Sequence, residues 1–130
     1  MRRLLIAAAA VLAAPILALA GEARPVMVGG NDGLDACMTL AQVNPGLHSI
    51  TQRVEQSPDD GNNGPAAYIR TGQQLWICEE TDDYYGIVFG RDGNSDADCG
   101  VTSPIEVRTP YEGECLSGWI IKAYIDVLAG

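Results

Sequence analysis

The stretch Cys99-Gly100-Val101-Thr102-Ser103-Pro104-Ile105-Glu106-Val107-Arg108-Thr109-Pro110-Tyr111-Glu112-Gly113-Glu114-Cys115-Leu116-Ser117-Gly118-Trp119 decides how the chain is read. Two cysteines bracket a segment broken by Pro104, Pro110 and Gly113, residues that suit turns better than helix or strand interiors. An aromatic and β-branched run follows at once. The pattern is that of a covalently closed loop feeding a last strand. In that run Trp119, Ile121, Ala123, Ile125 and Val127 share one face at period two, with Lys122 and Asp126 on the other, so a single strand is expected over 119–128.

Outward from the bracketed loop, the other two cysteines are Cys37 and Cys78. An even count in a short exported chain reads as two disulfides. Three pairings are open. Cys99 with Cys115 is favoured because they flank one turn-rich segment, which leaves Cys37 with Cys78. A zinc site is not expected, since no Cys-x-x-Cys pair occurs and the one histidine, His48, is remote in sequence from every cysteine.

The beginning of the chain sets the compartment. Met1, Arg2 and Arg3 are followed by an almost wholly apolar run over 4–17, and Ala18-Leu19-Ala20 ends in a small-x-small pattern. These are the three regions of a secretory signal peptide, with cleavage expected after Ala20. The run is too short, and too broken by Pro15, to read as a membrane anchor. Gly21 is not a cysteine, so no lipid anchor is expected there. Residues 1–20 are therefore read as signal peptide, 21–33 as a flexible leader rich in glycine, and 34–130 as one small domain that is periplasmic or secreted. The formal net charge is −9, and the mature chain is more negative still, because Arg2 and Arg3 leave with the signal. Such a chain is repelled by nucleic acid and by anionic lipid, so neither nucleic-acid binding nor membrane insertion after cleavage is expected, and a cationic partner fits better.

The domain reads as short strands separated by turns. A first strand is expected within 34–43 and ends at Asn44-Pro45-Gly46; an arm or weak strand lies within 47–54; a loop rich in Asp, Asn and Gly follows over 57–65. Leu75-Trp76-Ile77-Cys78 reads as a buried strand, 79–83 as an acidic turn, and Tyr84-Tyr85-Gly86-Ile87-Val88-Phe89 as the next strand of a hairpin. A polar loop covers 91–100. Short strands with turn signals point to a small all-β barrel or sandwich.

Four patterns in this order carry a family resemblance: Gly72-Gln73-Gln74-Leu75-Trp76-Ile77-Cys78, Tyr84-Tyr85-Gly86-Ile87-Val88, Asp98-Cys99-Gly100-Val101-Thr102-Ser103-Pro104, and Tyr111-Glu112-Gly113-Glu114-Cys115-Leu116-Ser117-Gly118-Trp119. Over 72–130 the chain resembles the bacterial SH3-like (Src-homology-3-type) domain proteins, small exported chains. The resemblance implies an SH3-like five-stranded barrel, here with long loops, and an aromatic-lined surface for peptides or glycans.

Little in the chain has the spacing of a catalytic set. Asp92, Asn94, Asp96 and Asp98 alternate like the start of a calcium loop, but Ala97 stands at the sharp-turn glycine and Ser103 at the bidentate glutamate, so a solvated loop is expected. Glu79, Glu80, Asp82 and Asp83 are expected as a solvated acidic turn and not as an acid–base pair. His48 has no nameable partner, and oxidised cysteines are not nucleophiles. No catalytic residue, metal or cofactor is therefore expected. Tyr84, at the turn end of its strand, and Tyr111, in the bracketed loop, are expected as exposed rings that stack on a ligand. The functional expectation is a non-catalytic binding module that docks a cell-wall glycan or a protein or peptide partner. The alternative is an acidic secreted inhibitor, or protective protein, directed against a basic hydrolase.

Overall fold

A computed structural model of the chain describes residues 23–59 and 63–130. The expected signal peptide lies outside the described residues. Among these residues all regular structure is β apart from two short 3₁₀ turns. The strands are β1 (Met27–Val28), β2 (Thr39–Val43), β3 (Thr51–Glu55), β4 (Pro65–Arg70), β5 (Gln74–Glu80), β6 (Tyr84–Phe89), β7 (Thr109–Pro110), β8 (Leu116–Ile121) and β9 (Ile125–Ala129). β1 and β7 form a two-stranded ribbon. The other strands form one antiparallel sheet in the order β4-β3-β8-β6-β5-β2-β9.

The sheet is open. β4 and β9 are its edges, so the closed five-stranded barrel implied by the resemblance is corrected to a bent sheet with a separate ribbon. Its bend is visible in the core: Ala41, Val43, Val54, Ile69, Leu75, Ile77, Ile87, Phe89 and Ile120, from six different strands, pack into one cluster. Pro65 is the first residue of β4, an edge strand, a position where a missing N–H is tolerated.

β6 is buried on both faces, and this organises the molecule. Ile87 and Phe89 enter the main cluster. Val88 enters a second cluster with Val28, Ala36, Cys37, Cys99, Val101 and Cys115, and Tyr84 a third with Val26 and Trp119. The sheet is therefore covered on its outer face by the N-terminal segment and by the cysteine-bracketed loop.

Two expectations need correction here. The segment 21–33, expected as a flexible leader, is built into the fold from residue 24 onward: Val26 and Val28 are 1% and 3% exposed, and β1 pairs with β7. Gly29 and Gly30, both at positive φ, press against Ile105 and Arg108, so the glycines permit a close approach of backbone to the loop. The expected single strand over 119–128 is two. β8 ends at Ile121, opposite Tyr84, where β6 begins. With no partner beyond that point the chain turns through Lys122–Tyr124, whose first N–H donates to the Asp83 carbonyl at 2.9 Å, and β9 crosses to pair with β2.

The β5–β6 hairpin forms as expected, with one irregularity. Cys78 is an extra residue between the Ile77–Ile87 and Glu79–Gly86 pairs. An uninterrupted strand would put Glu79 on the same face as Ile77, inside the main core. The bulge moves it to the outer face.

Candidate functional site

Both disulfides pair as favoured from sequence, Cys37 with Cys78 and Cys99 with Cys115, and no described cysteine is free. Two disulfides fit an oxidising extracellular compartment. Among the described residues no helix is long and apolar enough to cross a membrane. The bulged Cys78 ties the hairpin to the segment before β2. The second bridge closes the loop that lies over the outer face.

Tyr111 braces that loop from within. Its hydroxyl donates to the Cys99 carbonyl at 2.8 Å and accepts from the Cys115 N–H at 3.2 Å, so it joins the two ends of the closed segment. Burial raises its pKa; the Cys115 N–H opposes that rise, and Glu114 adds to it. Tyr84 is 6% exposed, packed with Val26 and Trp119. The expectation of two exposed stacking rings is therefore corrected. Tyr84 has no free face, because the N-terminal segment, thought to be a leader, covers it, and Tyr111 is a half-buried brace.

The acidic turn is corrected in the same way. The Glu79 side chain is 6% exposed. It accepts from the Met27 N–H at 3.0 Å, pairs with Arg108, and lies 3.7 Å from Arg24. Arg24 stacks over Trp119 with its guanidinium 4.7 Å from the ring centroid, and the Trp119 indole N–H donates to the Arg24 carbonyl at 2.8 Å. Lys122 pairs with Glu80 at 2.8 Å and lies over Tyr85; the Glu80 hydrogen bond raises the Lys122 pKa. Glu80, though paired, is exposed, and so are Asp82 and Asp83, so Glu79 is the one member of the run that the fold buries.

This use of cations shapes the surface. Among the described residues Arg24, Arg53, Arg108 and Lys122 are held against Glu79, Glu55 and Glu80. Arg91 donates to the Glu114 carbonyl at 2.8 Å. The carboxylates of Asp92, Asp96, Asp98, Glu112 and Glu114 are exposed, and among the described residues none forms an ion pair. Asp92, Asp98 and Glu114 line one shallow depression of about 410 Å³, with Arg91, Asn94, Ala97 and Cys115. The backbone beneath is fixed: Asn94 Oδ1 accepts from Asp96 N at 2.9 Å, Asp98 Oδ1 accepts from Gly100 N at 3.0 Å, and the Cys99–Cys115 bridge joins the walls. Sequence had singled out the alternating acids only as a calcium pattern. Among the described residues no three His, Cys, Asp or Glu side chains converge to hold a metal ion. What the arrangement offers is a rigid, outward-facing negative surface. His48 is exposed on the 44–50 turn.

No protein-family model matches the chain, and no curated protein or solved structure matches it either.

Proposed function

We propose that the chain is an exported, non-catalytic binding module, of the kind its SH3-like resemblance implies, and that its partner is a cationic protein or peptide segment. One observation carries the reading. Four of the six described cations, Arg24, Arg53, Arg108 and Lys122, are held against carboxylates elsewhere, while Asp92, Asp98 and Glu114 outnumber the one cation, Arg91, in a depression whose walls are crosslinked. A fixed field of one sign steers an oppositely charged partner and costs little ordering entropy on binding. All described cysteines are oxidised, so among the described residues no thiol is free to act as a nucleophile.

The test is a titration with a lysine-rich peptide at low and high salt, using the wild type and the triple variant Asp92→Asn/Asp98→Asn/Glu114→Gln. Binding that falls steeply with salt, and falls at least tenfold in the triple variant at low salt, is the expected result. Equal binding by the two proteins would remove this face from consideration. A second reading, inhibition of a basic hydrolase, is favoured by the same crosslinked rim, because a rigid loop can enter a cleft without losing freedom. Salt-sensitive inhibition of such an enzyme would select it over simple docking.

A further inference from the structure

A second concavity lies between the outer face of β2 and β5 and the 94–99 loop, and its chemistry differs from the rest of the surface. It is lined by Leu40, Gln74, Trp76, Ser95 and Ala97 around a space of about 100 Å³, with Phe89 and Gly90 at its base. It shares only Ala97 with the acidic depression. No charged side chain lines it, although the chain carries 17 acidic residues. A charged ligand would find no counter-ion there, so the occupant is neutral.

The polar groups narrow it further. Ser95 Oγ accepts from the Gln74 N–H at 3.0 Å, and among the described residues its hydroxyl proton has no acceptor. The Trp76 indole N–H and the Gln74 side-chain amide likewise have no hydrogen-bond partner among the described residues. Donors and an acceptor beside an apolar wall suit an amide carrying a methyl group. The space is well below the roughly 300–1,000 Å³ of a pocket for a drug-sized ligand, so it admits a group of a few heavy atoms and leaves the rest of the ligand at the mouth. An extended peptide has no main-chain pairing to make here, because β2 lies between β5 and β9, and β5 between β6 and β2. The half-buried Trp76 ring beside polar side chains suits a sugar ring instead.

We propose that this cleft binds a neutral N-acetyl sugar, with the acetamido group in the cavity, its carbonyl accepting from the Ser95 hydroxyl, and the pyranose at the mouth beside Trp76. The cleft meets the acidic depression only at Ala97, and Ser95 lines the cleft but not the depression, so Ser95→Ala tests it without altering the acidic face.

Tryptophan fluorescence reads the test, since Trp119 is 0% exposed and Trp76 is the half-buried ring at the cleft. The processed protein is titrated with N-acetylglucosamine, glucosamine, glucose and N-acetylalanine methylamide. A saturable change with N-acetylglucosamine in the millimolar range is expected, with none from glucose or glucosamine. Ser95→Ala should weaken it at least threefold, and Ala97→Leu, which fills the cavity, should abolish it. Thermal unfolding confirms that both variants fold; if Ala97→Leu does not, Ser95→Ala alone decides. An equal response to glucose, tighter binding of the peptide amide, no saturation up to about 50 mM, or an unchanged response in folded Ser95→Ala would each overturn the assignment.

Discussion

Glu79 sits where three parts of the chain meet: the bulged end of β5, the N-terminal segment through Met27 and Arg24, and the bracketed loop through Arg108. Its arginine partners are half exposed, so screening limits what the pairs contribute. The buried N–H of Met27 adds a directional bond. Glu79→Ala should therefore cost about 1–3 kcal/mol in urea denaturation, and Glu79→Gln less, because an amide oxygen still accepts from Met27. Gly86 is a second such residue. A Cβ there would lie 3.1 Å from the Trp119 ring and 3.2 Å from Glu79 Cβ. Gly86→Ala should destabilise by about 1–3 kcal/mol, measured the same way, since both neighbours are packed against the fold. Tyr111 gives a pH signature. Burial raises its folded pKa above the unfolded value of about 10, so the folded state holds the proton more tightly. Its contribution is fully present below pH about 10 and is lost as pH rises through the folded pKa. Tyr111→Phe should be less stable at neutral pH, through the lost hydroxyl bonds to Cys99 and Cys115, and should show a shallower loss of stability on the alkaline side.

At the scale of elements, the N-terminal segment is a structural strap. Val26 closes over Tyr84 and Trp119, and Val28 joins the disulfide cluster. Val26→Ala should cost about 1–3 kcal/mol by urea denaturation, whereas a disposable leader would give no change. The strap was illegible in the sequence because its partners are far away: Met27 meets Pro110 and Glu79, and Trp119 bonds Arg24 across a separation of 95 residues. Two paired residues carry no period. The β5–β6 hairpin was legible for the opposite reason, with local pairing, bulky alternation and a three-residue turn all within one stretch. The bulge at Cys78 could not be read, since an inserted residue leaves the alternation on each side intact. The break between β8 and β9 was hidden because alternation records a strand's faces and not where its partner ends.

For the whole molecule, the disulfides and the charge distribution set the character of the protein. In the chain-entropy model the bridge spanning 41 residues stabilises by about 4 kcal/mol and the one spanning 16 by about 3 kcal/mol. Reduction should lower the unfolding midpoint sharply, and Cys37→Ala/Cys78→Ala should be the more damaging pair, because it frees both the hairpin and the strap side of the outer layer. The pairing itself was legible from the turn-rich segment between Cys99 and Cys115. The acidic face was half legible: the excess of acid is plain in composition, but which carboxylates the fold neutralises depends on contacts such as Lys122 with Glu80, 42 residues apart. The most direct test of the central claim is an NMR titration of the isotope-labelled, oxidised protein with a lysine-rich peptide at low salt. Amide shifts confined to 91–98 and 112–115, and erased by the Asp92→Asn/Asp98→Asn/Glu114→Gln substitutions, are expected. Shifts centred on Asp82 and Asp83, or spread evenly over every exposed carboxylate, would contradict it.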